Sequence, residues 1–185
     1  MIQTDPDPDT VAARLAEGRP ALVSATRIDD LETPVSAYLK LSARENESFL
    51  LESVEGGAYR GRYSAVGFDP DLIWRCRDGV AEIAEAEDGD ARPELFRPTG
   101  EAPIASLKTV MAASRLDMPD ALAPISAGLF GYLGFDMARY AERLPERAAP
   151  DPLGTPEAML IRPRVVLVFD ALRGEINACA PVRPV

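Results

Sequence analysis

The chain contains no histidine. That removes the commonest general base near neutral pH and the commonest metal ligand, and with them any Ser-His-Asp, Cys-His or two-histidine zinc arrangement. Carboxylates, lysine and tyrosine remain for acid–base work. The two cysteines, Cys76 and Cys179, stand far apart without metal-type spacing. In a chain read as cytoplasmic they are expected to be reduced, buried and inert. No segment approaches the roughly 20 consecutive apolar residues of a membrane-spanning helix. The opening "MIQTDPDPDT" is acidic and Pro-rich, where an export signal needs a basic start and an apolar core. Positive charge is also short: 20 Lys and Arg against 30 Asp and Glu give a net charge of −10. With no basic cluster to offset it, such a body repels phosphate backbones, which argues against nucleic acid as a partner.

What is present suits a globular fold. At 185 residues and 46% hydrophobic content the chain can bury a real core as one domain, with or without an appendage. Residues 1–30 read as an acidic segment leading into a domain over 31–185. A short helix is expected around "TVAARLAEG", closed by Gly18, followed by a strand at "PALVSATRI". "DDLETPVSAYLKLSAR" reads as a helix with Thr33 as N-cap and Pro34 at its first position. Its apolar face is Val35, Tyr38, Leu39 and Leu41. Strands follow at "SFLLESV", "YSAVGFDP", "DLIWRCRDG" and "VAEIAEAEDG", the last two a hairpin turned at Asp78-Gly79. "IASLKTVMAASRL" is an amphipathic helix with Ile104, Leu107, Val110, Met111 and Ser114 on its stripe. "ISAGLFGYLGFD" reads as a Gly-interrupted strand running into a helix at "MARYAERLP". Two further strands lie in "AMLIRPRVVLVFD" and "EINACAPV", Val165 to Phe169 reading as buried on both faces. The class is α+β, a largely antiparallel sheet packed with a few helices. The final strand stops at Val185 with nothing to close it, as expected of one half of a larger protein.

Three motifs invite a chemical reading. In "FLLESVEGG" strand alternation puts Phe49, Leu51 and Ser53 on one face, with Leu50, Glu52 and Val54 on the other. The plain reading is a strand end turning polar. The alternative is a pocket for a zwitterionic ligand, with a carboxylate for its ammonium, a hydroxyl for its polar remainder and leucine walls for its apolar body. For Glu52 and Ser53 to face one ligand, the strand must twist or bulge. "GGAYRGR" matches no phosphate-binding spacing; its Arg60 and Arg62 read as solvated loop residues, with a carboxylate ligand or partner domain as the alternative. In "GLFGYLGFD", Gly128, Gly131 and Gly134 among aromatics mark a bulge or the close approach of another backbone or a ligand, close packing being the plainer reading, and Phe130, Tyr132 and Phe135 fit a strand packed on both sides at an inter-domain seam. Paired acids such as Asp29-Asp30 and Glu85/Glu87 lie on polar faces, with no apolar setting to raise their pKa for acid–base work.

Taken in order, "DLETPVSAYLKL", "FLLESVEGGAYRGRYSAVGFDPDLIWR", "GLFGYLGFDMARYAERLP" and "PEAMLIRPRVVLVFD" closely resemble the N-terminal region of anthranilate synthase component I, from about Leu31 to Asp170. The resemblance implies one half of a two-domain chorismate-utilising architecture. The full enzyme of that family converts chorismate and ammonia to anthranilate and pyruvate with Mg²⁺, the ammonia coming from glutamine through an amidotransferase subunit or domain. Chorismate and Mg²⁺ belong to a C-terminal catalytic domain absent from this sequence, so this chain alone is expected to be inactive and to hold no catalytic or metal-binding residue. Its implied role is feedback control, with L-tryptophan as effector held by Ser53, Glu52, Leu51, Pro34 and Arg60 and the other wall supplied by the protein's own C-terminal domain. Two alternatives stay open: the corresponding domain of aminodeoxychorismate synthase component I, and a stand-alone small-ligand binding domain.

Overall fold

The computed structural model describes residues 3–28, 31–41, 47–53, 61–86, 91, 93–144 and 153–184. Its elements in chain order are α1 (Pro8–Ala16), β1 (Ala21–Ile28), α2 (Pro34–Leu41), β2 (Phe49–Leu51), β3 (Tyr63–Arg77), β4 (Val80–Glu85), β5 (Arg97–Pro98), α3 (Pro103–Ala113), β6 (Phe130–Leu133), β7 (Ala158–Asp170) and β8 (Glu175–Val182). The strands hydrogen-bond in the order β1-β8-β7-β3-β4-β5, with β2 also on β3 and β6 also on β7. The pairs β1–β8, β7–β8, β2–β3, β3–β4, β4–β5 and β6–β7 are all antiparallel. The α+β class with a mainly antiparallel sheet therefore holds.

The chain forms two compact units. One comprises Met1–Pro70, Leu116–Gly128 and Pro163–Val185, the other Asp71–Arg115 and Leu129–Arg162. In the first, α1 is capped by Asp7, whose carboxylate accepts from the N–H groups of Asp9 and Thr10, and the chain turns after it through Gly18 in the left-handed region. α2 starts as expected. Thr33 Oγ1 accepts from Ser36 N, and Ser36 Oγ accepts from Thr33 N. This reciprocal pair satisfies two backbone donors at the helix start. The core here joins Ala37, Val66 and Phe169, with Tyr38, Leu50, Phe68, Leu167 and Ile176 against them.

The expected face of α2 is wrong in part. Only Ala37 is fully buried, with Tyr38 beside it, while Val35, Leu39 and Leu41 are exposed. Spacing alone located a stripe, but two apolar stripes are available on this helix and the sheet takes the one with the small residue. Val165 and Leu167 are likewise only half-buried, whereas Val166, Val168 and Phe169 are enclosed. β3 is one strand where two were expected. It passes through Asp69 at φ 56°, an uncommon conformation for a non-glycine residue.

In the second unit the β3–β4 hairpin turns at Asp78-Gly79, both with positive φ, as a two-residue turn matching strand twist requires. Its core contains Leu72, Trp74, Cys76, Ala81, Leu107, Val110, Met137 and Ala158. Trp74 is fully enclosed, and its indole N–H donates to Ser106 Oγ at 3.0 Å. α3 buries Ser106, Leu107 and Val110, followed by Ser114; Met111, expected on that stripe, is exposed. Ser106 was missed because a serine interrupts an apolar pattern; its value is as a hydroxyl facing the indole.

The glycine–aromatic segment gives a mixed result. A Cβ on Gly131 would lie 2.0 Å from the Met159 carbonyl oxygen, and one on Gly134 2.7 Å from the Glu157 oxygen. These glycines let β6 and the turn after it lie against the β7 backbone, which is the close packing expected. Tyr132, Leu133 and Phe135, by contrast, are exposed, so nothing within the described residues packs the outer side of this strand, the side that the seam reading gives to a second domain. After it comes a 3-10 helix, Phe135–Tyr140, in place of the expected α-helix. Gly131→Ala should therefore destabilise the chain by about 2–4 kcal/mol, since a backbone carbonyl cannot swing aside as a side chain does. A denaturant midpoint unchanged from the parent would refute that account of Gly131.

Candidate functional site

Of the five residues nominated as an effector site, four are described; Arg60 lies outside the described residues. Leu51 is the last residue of β2 and is 49% exposed. Glu52 and Ser53 follow it, both exposed and no longer in strand conformation. Pro34 opens α2 and is half-buried. α2 and β2 pack together through the Ala37, Tyr38 and Leu50 cluster, and Ser48 Oγ donates to the Tyr38 hydroxyl at 3.4 Å. The middle of α2 thus packs against β2 within the first unit.

The end of β2 resolves the difficulty that alternation posed. The ladder with β3 pairs Phe49 with Gly67, Leu50 with Val66 and Leu51 with Ala65. There it stops. Phe49 fits because its partner has no side chain: a Cβ on Gly67 would fall 2.1 Å from the Phe49 ring. Beyond Leu51 the N–H of Ser53 donates to Ser64 Oγ at 3.2 Å, so a side chain takes the place of ladder bonding. Glu52 and Ser53 are free of the two-residue alternation that would send them to opposite faces.

Chemically, this corner offers a solvated carboxylate, a hydroxyl and the exposed flank of a leucine. At α2, Glu32, Ser36 and Lys40 form a polar group, with Ser36 Oγ donating to Glu32 and Lys40 paired with the same carboxylate. Val35 and Leu39, four residues apart on α2, are exposed at 42% and 66%, as is Leu31 at 94% in the bend before the helix.

Arg62 corrects the reading of "GGAYRGR". Its guanidinium donates to both carboxylate oxygens of Asp170, Nε to Oδ1 at 3.0 Å and Nη2 to Oδ2 at 2.6 Å, and it sits 4.7 Å from the Tyr63 ring centroid. It is a paired structural residue, invisible in sequence because its partner lies 108 positions away. The Asp170 carboxylate also accepts from the N–H groups of Leu172 and Arg173, while Ala171 N donates to the Arg62 carbonyl.

The Arg62 bond, outweighing burial, holds the Asp170 carboxyl below its ordinary value. A carboxyl lowered in the folded state stabilises fully above its unfolded pKa, and that contribution fades as pH falls through the folded value. Asp170→Asn should flatten the acid limb of the stability profile below about pH 4. Urea midpoints measured across that range with the same slope in variant and parent would reject the assignment.

In the second unit, burial is the main cause that pushes the Cys76 thiol up to about 11. The Tyr140 hydroxyl, also raised first by burial, donates to Glu157 Oε1 at 3.3 Å. Both cysteines are buried free thiols, consistent with inert packing residues. Among the described residues no group of three or more Cys, Asp and Glu is placed to hold a metal ion, and no helix is long and apolar enough to cross a membrane.

The class defined by this architecture is an α+β domain whose antiparallel sheet carries an exposed polar corner. A solved anthranilate synthase component I from Streptococcus pneumoniae TIGR4 shares the fold, with a TM-score of 0.50 and 22% identity over 86% of this chain and 31% of that one. No family model matches the chain. It is 48% identical over 164 residues to anthranilate synthase component 1 of Cereibacter sphaeroides, covering 89% of this chain and 32% of the relative. The corresponding protein of Thermus thermophilus is 40% identical over 158 residues, covering 85% and 31%, and that of Pseudomonas aeruginosa 37% over 163 residues, covering 88% and 32%. Over most of its own length the chain is similar to these anthranilate synthase component 1 proteins, and it spans about a third of their length.

Proposed function

We propose that this chain is the tryptophan-sensing part of an anthranilate synthase component I, a cytoplasmic enzyme of tryptophan biosynthesis that converts chorismate and ammonia to anthranilate and pyruvate. The observation that carries the reading is the 48% identity to a protein of that name across 89% of this chain. Chorismate chemistry and Mg²⁺ belong to the protein's remaining part, and the described residues of this chain cluster no ligands for that ion. Ammonia comes from a glutamine amidotransferase, as a subunit or a fused domain.

The effector reading rests on the corner. L-Tryptophan carries an ammonium, a carboxylate and a large apolar ring. The Glu52 carboxylate faces the ammonium, the Ser53 hydroxyl takes a polar contact, and Leu51 and Pro34 border the ring. The exposed Leu31, Val35 and Leu39 in and before α2 support a partner surface on the first unit, supplied by the protein's own C-terminal domain. Tryptophan held between the two parts favours one arrangement over the other, and inhibits only to the extent of its differential affinity for them.

The test is an assay of the full-length protein with chorismate, Mg²⁺ and ammonium, with and without L-tryptophan, followed by anthranilate fluorescence. Anthranilate formation suppressed by tryptophan is expected. Chorismate consumed without anthranilate would transfer the protein to aminodeoxychorismate synthesis and remove the basis for a tryptophan site.

A further inference from the structure

We infer that Ser64 is a positioning residue for the effector corner: its hydroxyl sets the place of Glu52 and Ser53 without itself touching the ligand. The inference rests on the effector reading above and extends it to a residue that neither the motif nor its spacing nominates.

The β2–β3 register continues on paper to place residue 52 opposite 64 and 53 opposite 63. The strand does not continue. The Ser53 N–H goes to the Ser64 hydroxyl, so the corner hangs on a side chain of a neighbouring strand. That acceptor is itself held firmly. Ser64 is half-buried in β3, directly before the fully buried Ala65 and Val66. Two residues earlier, Arg62 is fixed by its double bond to Asp170 and by the Ala171 N–H on its carbonyl. A rigid strand therefore presents one hydroxyl, and the backbone of Ser53 is located by it. A site tuned to a small zwitterion needs its carboxylate and hydroxyl held to within about half an ångström. Here one bond outside the site supplies that constraint.

The consequence is specific. Removing the Ser64 hydroxyl should weaken the response to tryptophan about three- to tenfold, the range of one lost hydrogen bond. Threonine keeps a hydroxyl at the same carbon and suits a strand, so it should restore the response. A bond that served stability alone would lower the melting temperature without changing the tryptophan dose response.

The experiment uses the full-length protein as Ser64→Ala, Ser64→Thr and Ser53→Phe beside the parent, reading the half-inhibitory tryptophan concentration together with kcat and KM for chorismate. Expected are a rise of about fivefold in Ser64→Ala, recovery to within about twofold in Ser64→Thr, and a larger rise in Ser53→Phe. If Ser53→Phe shifts the response and Ser64→Ala does not, the role of Ser64 is overturned while the site stands. If neither shifts it, the site reading fails and takes this inference with it. A Ser64→Ala loss that threonine does not recover, or that comes with an equal rise in the KM for chorismate, also overturns it. Hydrogen exchange of the Ser53 amide in the parent gives an independent reading: protection is expected, and exchange at the unprotected rate would refute the bond on which the argument depends.

Discussion

Ser53→Phe in the full-length protein should raise the half-inhibitory tryptophan concentration about 100-fold, toward the upper end of ordinary coupling between two sites. Ser53 is exposed and outside any strand, so the new ring meets no core and folding stability should move by no more than about 0.5 kcal/mol. If the proposed effector site is right, the ring instead fills the space beside Glu52 and Leu51 that the proposal gives to tryptophan. Ser53→Ala separates bulk from chemistry. It removes one polar contact and should cost only about tenfold or less. Dose–response curves for anthranilate formation decide the matter. Catalysis lost with tryptophan sensitivity intact would show that residue 53 belongs to the reaction and not to its control.

The largest effect on stability is expected at Trp74. It is the chain's one tryptophan, wholly buried in the core of the second unit and hydrogen-bonded to the equally buried Ser106. Trp74→Ala removes that packing and strands a hydroxyl inside the cavity, together costing about 3–5 kcal/mol. In a chain of this size that lowers the unfolding midpoint by roughly 10 °C. Trp74→Phe keeps most of the packing but leaves Ser106 without its donor, and should fall between alanine and the parent. Circular dichroism melts of the three proteins test this ordering. A phenylalanine variant as stable as the parent would mean that the indole–serine bond contributes nothing.

These two residues mark opposite limits of what a sequence shows. Ser53 is nominated by the motif around it, because a short chemical pattern survives translation into a resemblance; its orientation is not. Alternation predicts that Glu52 and Ser53 face apart, and only the end of the β2 ladder at Leu51, with the Ser64 bond beyond it, lifts that restriction. Ser106 carried no signal at all, since a serine among apolar positions reads as an interruption until an indole is placed opposite it. Arg62 read as solvated for the same reason: the asset that defines it, Asp170, is a long way along the chain.

By itself the sequence determined the class of fold, the order of its elements, the closure of α1 at Gly18, the cap of α2, the Asp78-Gly79 turn and the family likeness, because each depends on residues close together or on a pattern carried intact. Tertiary structure alone decided which stripe of α2 is buried, that β3 is a single strand, that Gly131 and Gly134 admit the β7 backbone while the aromatics beside them face solvent, and which distant groups Ser64, Arg62 and Trp74 meet. The division has a physical cause. Backbone geometry and local capping are settled within a few residues, whereas burial and side-chain pairing are settled by whichever surface the rest of the chain brings alongside.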